Sequence, residues 1–430
     1  MDQVTFARIA SLAAVAIGLL AAGRGVGGEP GDGMSDGMSE GMVVRVRILE
    51  VEGPIAVEGA GLGRKKIERT RRGLRVDGGS TLRRWRSDGA GGTGAGGTGA
   101  GATLWVGSAS ARGRGVADSS GSFRVQGALV VLPVDRGLAV VNEVPMESYV
   151  AGTLGAEMYS SWREEALRAQ AVACRSYALH QAASRRDQDW DLLAGTGSQV
   201  YRGVAAETPS VRAAVASTRG EVLVHAGEPA LAVYHSASGG RTASAEEVWG
   251  KPVPYLSSVE VESEEDSPDT YWRLELSSEA MGRVLAASGH SVGPVRRARV
   301  LGRSASGRVL EIEFEGTRGR ARLGGRALRG ALGDEELRST LFEVRNREES
   351  VVFVGTGRGH GVGMSQWGAQ GMALRGKSYR EILEHFYPGT RLETLDGRGV
   401  AVLGEETGEK TGEKSGERSS AAVAAGGAGQ

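Results

Sequence analysis

The sequence predicts an α+β fold, and three observations carry that expectation. Strand-like period-2 alternation fills the first third, as in "MVVRVRIL" from Met42 to Leu49. A single alanine-rich stretch, "SSWREEALRAQAVACRSYALHQAAS" from Ser160 to Ser184, then reads as a long helix. Short strand and short helix patterns mix after it. The expected architecture is therefore a β-rich N-terminal part, an Ala-rich central helix and C-terminal short helices.

Taken in order, the chain of 430 residues starts with an apolar run of 14 residues, Ile9 to Ala22, flanked by Arg8. A membrane-crossing helix needs about 20 residues, so residues 1–23 are expected to be a signal peptide, with an uncleaved anchor as the alternative. Residues 24–42 are rich in Gly, Met, Ser and Asp and read as a tether. The α+β domain is expected from Val43 to Leu395, with a low-complexity insert at Gly89–Ala102 decorating a hairpin. Residues 396–430 form a charged, then small-residue tail with nothing to bury.

Within the domain, strands are expected in "SFRVQGALVVLPV" and "GLAVVNEVP", the latter ending at Pro145. Ser161 and Glu164 form a capping-box pattern at the start of the long helix. Further strands are expected at Glu221–His225, Leu231–Tyr234, Arg297–Leu301, Val309–Phe314 and Val351–Val354. Short helices are expected at Glu335–Leu341, Gln366–Leu374 and Tyr379–Phe386.

Composition narrows the function. Lys plus Arg and Asp plus Glu both number 52, giving a formal net charge of zero and no whole-chain drive toward nucleic acid. Membrane contact is expected only through the N-terminus. The single cysteine, Cys174, permits no internal disulfide and excludes a Cys-rich zinc site. The six histidines lack the helical i, i+4 pairing of a zincin, so no metal and no cofactor are expected.

Several short motifs fail on context. Gly371–Ser378 matches the phosphate-loop pattern, but "SQWGAQGMAL" before it reads as a helix rather than a buried strand. "GMSQWG" and "YHSASGG" are not nucleophile elbows. The more telling stretch is "VPMESYVAGTLGAEMYSSWREEALRAQAVACRSYA", Val144 to Ala178. Glu157 sits there in "GAEM", just before the helix, where an apolar setting would raise its pKa as a general acid needs. Arg168 and Arg175 lie two turns apart, about 10 Å, on one partly apolar helix face. They serve a ligand, or they pair with Glu164 and its neighbours.

Three ordered blocks resemble the SpoIID/LytB family, named for stage II sporulation protein D and an amidase enhancer. They are Val144 to Ala178; "SQVYRG" with "VYHSASGGRTASAEEVWGKPVPYLSSV"; and "GRGHGVGMSQWGAQGMALRGKSYREILEHFYPGTRLE". Together they span residues 123–393. The resemblance implies lytic transglycosylation of peptidoglycan glycan strands, cutting between N-acetylmuramic acid and N-acetylglucosamine to leave anhydromuramic ends. It maps the family's catalytic glutamate onto Glu157, with Tyr159 in place of the motif's proline. The family's basic helix positions fall at Arg168, where lysine is usual, and at Arg175. They are candidates for holding the muramic lactyl carboxylate or for pairing with Glu157. Some members carry a metal near the second block; this chain offers His235 without a cysteine, so zinc is not carried over. Tyr201, His235, Ser236, Gly239, Gly240, Thr242, His360, Ser365 and Gln366 are the candidate substrate-binding residues. The glycines of the third block are expected to let backbone approach a sugar chain closely. The amidase-enhancer branch implies the alternative of a non-catalytic module that binds peptidoglycan and stimulates an N-acetylmuramoyl-L-alanine amidase.

Overall fold

The computed structural model describes residues 42–59, 63–87, 102–106 and 122–395; the expected signal peptide and tail lie outside the described residues, as does nearly all of the tether and insert. The fold is α+β. Strand Val43–Val51 pairs antiparallel with Gly137–Pro145, which pairs antiparallel with Ala128–Val134. Trp85–Arg86 and Leu192–Leu193 complete this five-stranded sheet. The alternation read from the sequence turns Val44, Val46 and Ile48 inward. A second sheet of six strands carries Ile55, Val57, Ile67 and Leu74 into the same core. The expected hairpin around the insert does not form. Trp85–Arg86 pairs with Ala128–Val134, whereas Ala102–Val106 joins Ile55–Gly59 in the other sheet.

Pro145 ends its strand and opens helix Met146–Glu157. Sequence patterning missed this helix because Val150, Thr153 and two glycines depress helix propensity. Tertiary packing overrides the propensity. A Cβ on Gly155 would lie 2.0 Å from the Ala206 carbonyl oxygen, so the helix meets the Gly203–Ala206 turn backbone to backbone. Gly155→Ala is therefore expected to cost about 2–3 kcal/mol by overpacking, read as a lowered midpoint in urea unfolding.

The long helix spans Glu164–Ser184 and is the hub of the core. Its small side chains, Ala166, Ala169, Ala171, Ala173 and Ala178, are buried and let neighbouring helices approach closely. It touches the helices Met146–Glu157, Pro209–Ser217, Gln366–Leu374 and Tyr379–Phe386 and the strand Glu221–His225. The expected capping box does not form: Arg163 is the N-cap and makes no side-chain cap bond. Instead, its N–H donates to Gln370 Oε1 at 2.9 Å, tying this end to the Gln366–Leu374 helix.

Within the span read as one domain, residues Trp272 to Phe353 build a second, separate core around Met281, Ile312, Phe314, Leu328 and Phe342. Two three-stranded antiparallel sheets and the helices Ser278–Ala287 and Gly325–Leu332 enclose it. The helix expected at Glu335–Leu341 is instead a turn followed by irregular chain. After this lobe the chain returns to the first. Met364–Ser365 pairs in parallel with Tyr234–His235, which is shorter than the strand expected at Leu231–Tyr234. Arg391–Thr394 adds to Glu221–His225. The helices Gln366–Leu374 and Tyr379–Phe386 fall where the sequence placed them, each started by a serine N-cap. No helix among the described residues is long and apolar enough to cross a membrane.

Candidate active site

Glu157 is the last residue of helix Met146–Glu157, and Met158 leaves the helix in extended conformation. The helix end thus turns the Glu157 side chain toward the 198–203 segment, where the Val200 N–H donates to Oε1 at 2.6 Å. Glu157 keeps some accessible surface, while its carboxyl sits deep among protein atoms. Burial raises its pKa above the ordinary carboxyl value; the Val200 N–H bond, the nearby polar groups of Tyr234 and Gln366 and the charge of Arg202 oppose the rise. The negative end of the helix dipole also favours the neutral acid.

A buried polar chain stands behind this carboxyl. Tyr149 Oη donates to Gln199 Oε1 at 2.8 Å, and Gln199 Nε2 donates to Tyr234 Oη at 3.0 Å. The Cys174 thiol donates to the same Tyr234 oxygen at 3.7 Å, and burial pushes that thiol up to about 12, so it is an inert thiol at neutral pH. Tyr234 and His235 are adjacent on one strand, so they point to opposite faces, Tyr234 toward Glu157 and His235 away. The Gln366 amide bears on Glu157, yet its Nε2 is buried without a hydrogen-bond partner. A buried donor left open in this way costs free energy unless something fills it.

Most of the other expected site residues lie elsewhere. Arg175 is fully buried, with Nε and Nη2 on the Glu147 carboxylate at 3.0 and 2.6 Å and Nη1 on the Glu221 carbonyl at 2.8 Å. Arg168 pairs with Glu164 and Glu165 and donates to Ser217 Oγ at 3.0 Å. Both arginines thus pair with glutamates other than Glu157, Arg175 inside the core and Arg168 at the surface. Tyr201 is 1% exposed, stacks on Tyr149 and donates to Asn142 Oδ1 at 2.8 Å, which makes it a core residue. Thr242 is buried and accepts from the Val259 N–H at 2.8 Å.

Glu264, unremarked in the sequence, accounts for Ser365, Gly239 and Gly240. Its buried carboxylate accepts from the N–H groups of Ser238, Gly239 and Gly240 at 2.6, 2.8 and 3.2 Å and from both the Ser238 and Ser365 hydroxyls. Ser365 also caps its helix by accepting from Gly368 N–H at 3.1 Å. These groups lock the loop to the C-terminal helix, while Gly240 stays exposed and Gly239 and Ser236 stay partly accessible. The glycine run serves the same end. At Gly363 φ is +69°, and a Cβ would lie 2.1 Å from the Val233 carbonyl oxygen. Close approach here is to the protein's own backbone, not to a sugar chain.

His235 and His360 face each other, ring centres 5.6 Å apart. His235 Nδ1 bonds the Val362 carbonyl at 3.1 Å, and His360 Nδ1 accepts from the Val362 N–H at 3.1 Å. Burial lowers both pKa values to about 3. Their folded values lie below the ordinary 6.5, so the neutral rings contribute stability above that pH and lose it as pH falls toward 3. For the nearly inaccessible His235, pH 4.5 lies two units below 6.5, a loss of about 2–3 kcal/mol. Thermal melts at pH 7 and pH 4.5 are expected to show it, and His235→Asn should flatten the difference. Among the described residues, no cluster of three or more His, Cys, Asp or Glu could hold a metal.

The site thus joins Glu157, Gln366 and Tyr234 from three distant segments. Sequence reasoning missed Tyr234, Gln199 and Arg202. The signal for Arg202 was the alternation in "SQVYRG": Gln199 and Tyr201 are buried, and Val200 and Arg202 are partly accessible.

An α+β protein with one deeply set acid at a helix end is the class that fold and site define. Residues 134–225 match the family model described as Stage II sporulation protein, SpoIID, and residues 251–363 match a domain of unknown function, DUF8618. The chain is 31% identical over 299 residues to stage II sporulation protein D of Bacillus subtilis, covering 65% of this chain and 83% of that one. It is 35% identical over 269 residues to an uncharacterized protein of Brachyspira hyodysenteriae, covering 61% and 70%. An amidase enhancer of Bacillus subtilis is 28% identical over 289 residues, covering 56% of this chain and 40% of that one. The chain belongs to the SpoIID family. The SpoIID match falls in the first lobe, around Glu157, and the second match covers the inserted lobe.

Proposed function

We propose that this protein is an exported cell-envelope enzyme that cleaves peptidoglycan glycan strands by lytic transglycosylation. Membership of the SpoIID family supports the peptidoglycan-related role. The observation that carries the reaction type is the deeply set, raised-pKa carboxyl of Glu157, on which the charge that bears is a cation, Arg202, and not a second carboxylate. Glycoside hydrolases ordinarily use two carboxylates, one of them to activate water or form a glycosyl intermediate. A lone acid suits a reaction whose nucleophile is the substrate's own hydroxyl.

In this reading, protonated Glu157 gives its proton to the glycosidic oxygen between N-acetylmuramic acid and N-acetylglucosamine. The C1–O bond breaks and N-acetylglucosamine leaves with a free 4-hydroxyl. The muramic 6-hydroxyl attacks C1 and passes its proton to the Glu157 carboxylate, closing a 1,6-anhydro ring without consuming water. Glu157 ends protonated, ready for another turn. Tyr234, itself held by Gln199, backs the carboxyl, and the open Gln366 Nε2 donates to a substrate oxygen. Arg202 takes the role expected of Arg168 and Arg175. It is half-buried, lies in the field of Glu157 and forms no ion pair among the described residues, so it is available to a muramic lactyl carboxylate.

The similarity to an amidase enhancer, and Tyr159 where the family motif has proline, favour a second reading. The protein would bind peptidoglycan and stimulate an N-acetylmuramoyl-L-alanine amidase without cutting glycan itself. Incubating the protein alone with purified glycan strands separates the two. Soluble fragments support the enzyme; no fragments, together with faster turnover of an added amidase, support the enhancer.

A further inference from the structure

Tyr159 is the most exposed large apolar side chain among the described residues, at 63%. It does not stand alone. Its ring centre is 5.5 Å from that of Trp162 and 6.3 Å from that of Trp367, and the two indoles meet edge-on at 4.8 Å. Both indoles are partly accessible, and neither ring N–H has a protein partner among the described residues.

Three features tie this shelf to the candidate active site. Tyr159 follows Glu157 by two residues, at most about 7 Å of chain. Trp367 adjoins Gln366, whose open amide bears on the Glu157 carboxyl. The backbone beneath the shelf is also tied down. The Trp162 N–H donates to the Tyr159 carbonyl at 3.0 Å, and Ser210 Oγ donates to the Ser160 carbonyl at 2.7 Å. The Arg163 N–H bonds Gln370 Oε1, and the Trp367 N–H donates to the Ser236 carbonyl at 3.0 Å. A backbone tied down before binding has little entropy left to lose when a ligand lands on the rings it carries.

We propose that Tyr159, Trp162 and Trp367 form a stacking subsite for one amino-sugar ring of the glycan, next to the bond on which Glu157 acts. The proposal rests on the glycan-cleaving reading. The C–H face of a pyranose is apolar and carries slightly positive hydrogens, which match the negative face of an aromatic ring. The free indole N–H groups suit the carbonyl oxygen of an N-acetyl group. Three rings are also too small for a stable protein partner, which covers about 800 Å² on each side.

The test uses the β-1,4-linked hexamer of N-acetylglucosamine, an uncharged probe, in calorimetric titrations. Glu157→Gln protein is the parent, so that no turnover intrudes. Adding Tyr159→Ala should weaken binding at least five-fold, whereas Tyr159→Phe, which keeps the ring, should stay within two-fold. Equal affinity of parent and Tyr159→Ala, or equal losses in Tyr159→Ala and Tyr159→Phe, would overturn the shelf. So would sedimentation showing that the wild-type protein self-associates through these rings and that Tyr159→Ala abolishes the association. Glycan digestion by Glu157→Gln is scored separately. If that variant cuts as well as wild type, the cleavage reading fails whether or not the shelf binds sugar.

Discussion

Arg175→Ala is expected to lower unfolding free energy by about 3–5 kcal/mol, the usual cost of breaking a buried ion pair from one side. Arg175 joins three elements: the long helix that carries it, the start of the Met146–Glu157 helix through Glu147, and the strand Glu221–His225 through the Glu221 carbonyl. Removing it leaves Glu147 with the Gly220 N–H at 3.2 Å as its remaining donor among the described residues, and leaves that carbonyl without its Arg175 donor. It also opens a cavity the size of an arginine side chain in the hub of the core. Arg175→Lys keeps the charge and loses the fork, so it should fall between. The double variant Glu147→Gln/Arg175→Met should recover part of the loss, because neither residue then carries an unpaired charge. Urea unfolding reads all three. Kinetics separates this account from a substrate-binding role. The folded fraction of Arg175→Lys should show an unchanged KM, and a KM raised ten-fold would return Arg175 to the substrate.

Glu157→Gln is expected to reduce glycan cleavage by about 10³-fold, within the range of lost general acid catalysis. Glutamine keeps the shape and can neither give nor retrieve a proton. The pH profile adds a second signature. The folded pKa of Glu157 is raised, so its protonated, competent form persists above the ordinary carboxyl range, and kcat/KM should fall as pH rises through that raised value. Stability runs in the same sense. A raised folded pKa contributes stability below the unfolded value and loses it as pH climbs through the folded one. At neutral pH the buried carboxyl is thus a liability. The inactive Glu157→Gln protein should melt at or above the wild-type temperature, unlike a variant that fails because it unfolds.

Local chemistry made part of this molecule legible. The helices Gln366–Leu374 and Tyr379–Phe386 lie where the sequence placed them, and the structure starts each at a serine N-cap, Ser365 and Ser378. Glu157 was singled out through its motif, and the structure sets its carboxyl deep among protein atoms at a helix end. What stayed hidden depends on tertiary partners. The Met146–Glu157 helix looks poorly helical until Gly155 is seen against the Ala206 carbonyl. Arg175 looks like a ligand-seeking cation until Glu147 arrives from 28 residues upstream. The glycines around His360 look like a sugar-binding wall until the Val233 carbonyl is seen against Gly363 and the Arg308 guanidinium against Gly361. In each case the sequence shows a residue's capability, and the partner that uses it comes from a remote segment.

The central claim is that Glu157 is the acid of a water-free glycan cleavage. The most direct test is mass spectrometry of end groups after wild-type and Glu157→Gln protein each digest glycan strands stripped of stem peptides. The account predicts anhydromuramic ends, lighter than ordinary reducing ends by the mass of one water, from wild type, and almost none from Glu157→Gln. Anhydromuramic ends released equally by both proteins, or reducing ends released by wild type, would contradict it.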